Sequence, residues 1–295
     1  MSNYEEYENL LSKFNYDEAV EFLLQKYGSA QDDYFRENSY QRFLKKEIKN
    51  ITKGKFSRTS EGLYCHHIDE KKMLNISDKE FVKSNKIPFD YQKKERLVYC
   101  DLIEHNILHV LISKETSLEF GHPGLLAFLV PIIEQWYLDQ IIPNPAWMKN
   151  CYNKSFLVPQ EAFNILKKMN EILGESYYNS LSEYYEEKMR QEKERNNWIK
   201  EREQRLKEER IELISNIKLL HDKSPRQTIV GMAYNLKYSD PMSNFNSIRT
   251  KPSYKEFDSK MKIYPKEKIL EELKIYLENL VESNKVFQFL RDQYK

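Results

Sequence analysis

The chain is poor in glycine and cysteine and contains no long apolar run. Its 295 residues include 7 glycines, which argues against a glycine-rich α/β enzyme. The 3 cysteines form no CxxC pair and are odd in number, which indicates a reducing compartment without a disulfide framework. The longest apolar run, residues 125–133, is broken by Pro131 and is too short to span a bilayer. Residues 1–30 are acidic and broken by charge, so we expect no signal peptide, no membrane association and a cytoplasmic location.

Charge is unevenly distributed along the chain, although the net charge is only +1. Residues 1–40 carry 3 basic and 9 acidic side chains, a net of −6. Residues 41–115 carry 16 basic and 11 acidic side chains, a net of +5. A locally basic segment is what a phosphate-binding surface requires. Residues 41–115 are therefore where a polyanionic partner is expected to bind.

The spacing of apolar residues predicts long helices. Two helices are expected within residues 4–27, with Asn15 or Asp17 as the N-cap of the second. Within residues 186–210, 17 of 25 residues are charged, which indicates a long solvated helix rather than a buried one. The other predicted helices cover residues 34–50, residues 123–142 with Pro143 and Pro145 closing them, and a last segment that Pro265 opens and that includes Phe287 and Leu290.

Residues 60–115 have a different pattern, in which a strand, a long connection, a second strand and a helix follow one another. The strands are predicted over residues 62–68 and 97–99. The helix is predicted from Asp101, which is well placed as its N-cap, to about Lys114.

Four of the 6 histidines belong to this segment. His66 and His67 end the first strand in GLYCHHIDE, and His105 and His109 are four residues apart on the helix in EHNILH. Spacing of four places both imidazoles on one helix face, as two ligands of one metal ion need. Successive strand residues face opposite sides, so one of the paired histidines could complete the metal site while the other faces a substrate. Three neutral imidazoles with open positions are typical of a catalytic metal site.

The other two histidines receive no role in the site. His122 lies in FGHPG, a predicted loop and helix start. His221 lies near the end of the charged helix, where it complements the helix dipole.

The segments YCHHID, RLVYC and EHNILH resemble the HNH nuclease family, which has the ββα-metal fold, and most closely its colicin-DNase-like branch. The resemblance covers residues 60–115, roughly a fifth of the chain. It implies that His66, His105 and His109 are metal ligands and that His67 is the general base. The implied fold class is α+β and mainly helical, with a small ββα-metal module embedded among helices.

Two features depart from the family pattern. Arg96 stands where the family usually has an asparagine. In the family, the side chain of that asparagine ties the loop of the motif to the backbone. Gln92 or Glu95 could take over that hydrogen bonding, and Arg96 could instead act as a phosphate clamp, for which a guanidinium group is suited. The connection between the histidine pair and the helix is also longer than in compact members, and residues 73–92 could form an insertion.

The resemblance implies metal-dependent hydrolysis of phosphodiester bonds, in DNA rather than RNA. His67 would take a proton from water, and one divalent ion (Zn, Ni, Mn, Co or Mg) would neutralise charge that builds on the phosphate. The remaining candidates are Asp69, Asp101 and Glu104, which could orient the imidazoles, and Lys53, Lys55 and Arg58, which join Arg96 as phosphate contacts.

Four regions are predicted: an N-terminal helical region (1–50), the HNH module with a docked helix (51–150), a helical region with the charged helix (151–222) and a C-terminal region for partner or substrate recognition (223–295). The long helix and the C-terminal region could also form a homodimer or bind a partner protein. Two alternative functions stay open. The same residues could cleave RNA, or the module could be a non-catalytic, metal-stapled element of a nucleic-acid-binding or regulatory protein.

Overall fold

The structure is a computed structural model that describes residues 2–238 and 252–282. The chain divides into two compact units, Met1–Glu187 and Lys188–Lys295, and the boundary lies inside the long charged helix. The described part is mainly helical with a small two-stranded antiparallel sheet, as predicted. Among the described helices, none has both the length and the apolar character that crossing a bilayer requires.

Helices make up most of the first unit. They are α1 (Asn3–Lys13), α2 (Tyr16–Tyr27), α3 (Glu37–Leu44), α4 (Lys79–Asn85), α5 (Leu102–Glu115), α6 (residues 122–138, with π-helical turns at Leu125–Leu129 and Glu134–Leu138), α7 (Ala146–Lys154), α8 (Pro159–Leu173) and the start of α9 (Leu181–Lys218).

Capping explains where two of these helices begin. Asn15 caps α2, and Asp101 caps α5 with a reciprocal hydrogen bond from its own backbone N–H to Glu104. Both caps were among the predicted ones. The helix predicted over residues 34–50 is shorter, because the chain takes a left-handed turn at Lys46 directly after α3. Similarly α6 ends before Pro143, with Gln140 in a left-handed conformation.

The two strands form an antiparallel pair. Strand β1 (Tyr64–His67) lies against β2 (Leu97–Cys100) in a register that sets His66 opposite Val98 and His67 opposite Leu97. The end of β2 leads through Asp101 directly into α5. The predicted order of strand, connection, strand and helix is therefore present.

Helix α5 is the central helix of the first unit. Eleven of its 14 residues are buried, and it packs against α1, α2, α6 and α8 as well as both strands. A helix that is apolar on nearly all sides is held in one position by its neighbours. Because His105 and His109 belong to this helix, their main chain is fixed by the core rather than by a surface loop.

The long connection between β1 and β2 has a small core of its own. It contains α4 and short 3₁₀ turns, including Ile68–Lys71 and Phe89–Gln92. Val82, Ile87 and Phe89 of this connection pack with buried aromatic residues around α3. The predicted insertion is thus folded onto the preceding helical segment, and its two ends return to β1 and β2.

The second unit has a separate helical core. It includes α10 (Arg226–Tyr238), α11 (Pro252–Met261) and α12 (Lys266–Glu282), of which α12 begins directly after Pro265, as predicted. The core residues include Ile229, Tyr234, Phe257 and Leu270. Phe287 and Leu290, predicted for the last helix, lie outside the described residues.

Candidate metal centre

Three of the four motif histidines meet at one point. His66 reaches it from the end of β1, and His105 and His109 reach it from successive turns of α5. The ring centroids are 5.2 Å apart for His66 and His105, 5.3 Å for His66 and His109, and 5.0 Å for His105 and His109. One ring nitrogen from each histidine lies within 4.8 Å of the other two, so the three side chains could hold one metal ion.

Hydrogen bonds fix which nitrogens of two of these rings carry hydrogen. Tyr16 Oη donates to the carbonyl of Ile68 at 2.9 Å, so its oxygen accepts from His66 Nε2 at 3.0 Å. The carbonyl of Gly121 can only accept, so His109 Nδ1 donates to it at 3.0 Å. His66 Nδ1 and His109 Nε2 therefore carry the lone pairs in the neutral rings, as metal ligands require.

The remaining nitrogens support the same conclusion. His66 Nδ1 and His105 Nδ1 are buried and have no hydrogen-bond partner. Buried polar atoms normally have one, so two unpartnered ring nitrogens in this cluster fit residues that bind a cation. The residues thus fit a divalent ion, and an imidazole set suits Zn, Co, Ni or Mn better than Mg.

Burial keeps two of the three imidazoles uncharged before any ion binds. Desolvation lowers the pKa of His66 to about 3 and holds the pKa of His105 well below its ordinary value. His109 is also buried, but the nearby Glu70 carboxylate outweighs desolvation and raises its pKa. Neutral imidazoles are the form that binds metal.

Glu70 is a part of the centre for which the sequence predicted no role. Its Oε2 lies 3.2 Å from His109 Nε2 and 3.8 Å from His66 Nδ1, and its Oε1 lies 3.8 Å from His67 Nδ1. Burial alone would raise the pKa of this carboxyl group, but the surrounding histidines lower it. The sequence signal for this role was the position of Glu70 four residues after His66. The carboxylate reaches the histidines only because the chain turns directly after β1.

Among the described residues, His67 is not a member of the three-histidine cluster. Its ring lies against Tyr34 with a centroid distance of 4.5 Å, and its Nε2 lies 3.2 Å from Oε1 of the fully buried Gln92. Gln92 Nε2 donates to the carbonyl of Ile76 at 2.9 Å, which fixes the amide so that its oxygen faces His67. His67 Nε2 therefore donates, and the lone pair of the neutral ring is on Nδ1, on the side of Glu70. Burial lowers the pKa of His67, which favours this neutral form.

The predicted phosphate contacts lie in different surroundings. Lys53 Nζ is 5.7 Å from the centroid of the Tyr34 ring, and the same ring packs on His67. Arg96 is half exposed and pairs with Asp69 at 3.3 Å. Arg58 is engaged by Glu61 and by the carbonyl of Tyr27. Lys55 is exposed, and its backbone N–H donates to Asp32.

Three carboxylates were predicted to orient the imidazoles, and the contacts of the described residues give them other partners. Asp69 is paired with Lys72 and Arg96. Asp101 accepts from Tyr7 and caps α5.

Glu104 accepts from Lys26 and Tyr27. Burial and the neighbouring Asp101 raise its pKa above the ordinary value. Asp101 and Glu104 therefore secure the N-terminus of α5, two turns from His109.

The FGHPG segment contributes a backbone carbonyl group to the metal centre, and no side chain. The His122 side chain pairs with Glu175 at 2.8 Å and takes no part in the centre. The preceding Gly121, with φ of +76°, presents the carbonyl that binds His109, and a Cβ there would lie 2.7 Å from the His109 carbonyl oxygen. A Cβ on Gly124 would lie 3.3 Å from His109 Cε1. The two glycines allow the start of α6 to approach His109 closely.

The arrangement combines a largely buried three-histidine cluster with a fourth histidine whose Nδ1 carries the lone pair of the neutral ring. Comparisons with protein-family models, with curated proteins and with solved structures found no match to this chain.

Proposed function

We propose that this chain is a metal-dependent endonuclease that hydrolyses phosphodiester bonds, in DNA rather than RNA, with an HNH-type site. The observation that carries the proposal is the three-histidine cluster, in which two buried ring nitrogens have no partner. Its residues occur in the order that the HNH resemblance implies, with the histidine pair on one strand and His-x3-His on the helix that follows the other.

His66, His105 and His109 would hold the ion. When bound, a divalent ion supplies Lewis-acid stabilisation of charge on the phosphate oxygens. The hydrogen bonds from His66 to Tyr16 and from His109 to Gly121 keep both rings in the tautomer that binds metal. The chain's contribution here is to fix the orientation of its ligands before any substrate arrives.

His67 would act as the general base. Its Nδ1 lone pair can take a proton from a water molecule on the Glu70 side of the ring. Its Nε2–H keeps the hydrogen bond to Gln92 as the ring becomes positively charged, so the ring does not need to turn. Gln92 thereby performs the loop-tying role that the family gives to an asparagine.

Arg96 and Lys53 would bind the phosphate groups on either side of the scissile bond. Arg96 is only loosely engaged, at 3.3 Å from Asp69, and its guanidinium group can bind two phosphate oxygens at once. Lys53 approaches from the side of Tyr34. Their charges would also supply the salt-dependent part of nucleic-acid binding.

A second candidate function is a metal-stapled structural module without activity. The burial of the site favours it, because His66 is 0% exposed and His67 is 2% exposed. A structural site is closed to substrate, whereas a catalytic site keeps an open position.

Incubation of the purified chain with plasmid, single-stranded DNA and RNA, across several divalent ions, separates these functions. Cleavage of DNA that EDTA stops supports the nuclease, whereas preferential cleavage of RNA identifies the substrate as RNA. Metal binding without any cleavage identifies the structural module.

A further inference from the structure

Glu70 occupies the space between the three clustered histidines and His67. The 3₁₀ turn Ile68–Lys71 directly follows β1 and folds the chain back, so that this carboxylate points at the imidazoles of the strand it has just left. Among the described residues, its ion-pair partners are His66, His67 and His109, and no lysine or arginine is among them.

When the imidazoles are neutral, the contacts between Glu70 and the ring nitrogens of His66 and His109 are stable only if a cation lies between them. Tyr16 assigns the hydrogen of His66 to Nε2, and Gly121 assigns that of His109 to Nδ1. His66 Nδ1 and His109 Nε2, which face Glu70 Oε2, are then hydrogen-bond acceptors. They lie 3.8 Å and 3.2 Å from Oε2, which is an acceptor as well. Acceptors do not bind one another, so a proton or a metal ion has to lie between them.

The distances agree with shared coordination. Metal–nitrogen and metal–oxygen bonds of about 2.0–2.2 Å place neighbouring ligand atoms on one ion about 3–4 Å apart. The 3.2 Å and 3.8 Å separations of Glu70 Oε2 from the two imidazole nitrogens fall in this interval.

We infer that Glu70 is a fourth protein ligand, so that the centre is a three-histidine, one-carboxylate site for a divalent transition metal. A carboxylate oxygen is a harder donor than imidazole and improves the fit to Mn²⁺ or Fe²⁺ relative to an all-imidazole set. The inference rests on the proposed metal centre and deepens it. Its Oε1 lies 3.8 Å from His67 Nδ1, so the same side chain joins the ligand cluster to the proposed base.

Metal titration of the full chain tests the inference without reference to activity. The probes are Co²⁺, Mn²⁺ and Zn²⁺, the readouts are the dissociation constant and the visible spectrum of the Co²⁺ form, and the variants are Glu70→Gln and Glu70→Asp. We expect Glu70→Gln to weaken Mn²⁺ binding by at least about tenfold and to change the Co²⁺ spectrum. Glu70→Asp should lose less affinity, because it keeps an oxygen ligand on a shorter side chain.

Asp69→Asn is the matched control, since Asp69 is the adjacent carboxylate and is paired with Lys72 and Arg96. It should bind metal as the wild type does. If Glu70→Gln and Glu70→Asp both bind all three metals within twofold of the wild type with an unchanged Co²⁺ spectrum, Glu70 is not a ligand and only this inference fails. If the wild type binds no metal at all, the proposed function fails with it.

Discussion

Gln92 Oε1 lies 3.2 Å from His67 Nε2, although the two residues are 25 positions apart. The same amide donates to the carbonyl of Ile76, so a single buried side chain ties the insertion to the proposed base and selects its tautomer. In the proposed HNH-type site, this hydrogen bond would take the place of the one made by the asparagine of the HNH pattern, at whose position this chain has Arg96.

The first prediction concerns this hydrogen bond. We expect Gln92→Ala to leave His67 in a mixture of tautomers and to lower kcat about tenfold to 100-fold, while the metal dissociation constant changes little. Nitrogen-15 NMR of the histidine rings reports the tautomer, and Glu95→Ala is the exposed control. The variant should also lose about 1–3 kcal/mol of stability, because the Ile76 carbonyl loses its buried partner. A single unchanged tautomer in Gln92→Ala would contradict the assigned role.

The second prediction concerns metal and stability. A divalent ion at 100 times its dissociation constant should stabilise the first unit by about 2.7 kcal/mol, which raises Tm by about 5–10 °C. His105→Ala and His109→Ala should abolish this shift, whereas His221→Ala should retain it. Thermal unfolding with EDTA and with added Zn²⁺ or Mn²⁺ provides the measurement. A shift that persists in both ligand variants would place the metal elsewhere.

The third prediction concerns the glycine that positions His109. In Gly121→Ala an alanine would have to adopt the positive φ of +76° that Gly121 has. Its Cβ would also lie only 2.7 Å from the His109 carbonyl oxygen. We expect a loss of about 1–3 kcal/mol in the free energy of unfolding, together with weaker metal binding.

Gly28→Ala is the control for Gly121→Ala, since Gly28 has φ of +78° with nothing within 4 Å of a Cβ. It should lose stability without losing metal affinity. Equal metal dissociation constants for the two alanine variants would show that the Gly121 turn does not support His109.

The fourth prediction separates the basic residues. Lys53→Ala and Arg96→Ala should each lower the slope of log affinity for DNA against log salt by about one, as loss of one phosphate contact does. Arg58→Ala should change the slope less, because Arg58 is already held by Glu61 and the Tyr27 carbonyl. Binding isotherms at several salt concentrations, with metal omitted to prevent cleavage, give the slopes. If Arg58→Ala changed the slope more than Lys53→Ala and Arg96→Ala, the assignment of Lys53 and Arg96 as the phosphate contacts would be wrong.

Local signals in the sequence were sufficient for the central elements of the first unit. The predicted caps have short polar side chains directly before apolar helical spacing. The structure confirms Asp101 and selects Asn15 from the two alternatives Asn15 and Asp17. The approach of His66 to His105 and His109 was also predictable, because one helix face and one strand end define it.

The remaining site residues depend on tertiary contacts that no local pattern reports. Tyr16 reaches His66 across 50 positions, and the Gly121 carbonyl contributes through its backbone, where side-chain chemistry gives no signal. Glu70 was visible in the motif, but its direction depends on the turn that follows β1. No element was predicted for α10 and α11, because polar and aromatic residues obscure their apolar spacing.

The decisive measurement of nuclease activity is plasmid cleavage by the wild type and by His67→Ala, each loaded with one equivalent of metal. We expect that the wild type cleaves, that EDTA stops the cleavage, and that His67→Ala keeps its metal but cleaves at least about 100-fold more slowly. Equal cleavage by the two proteins would contradict the role of His67 as the base. If the metal-loaded wild type cleaves neither plasmid nor single-stranded DNA nor RNA, the proposed nuclease function is wrong.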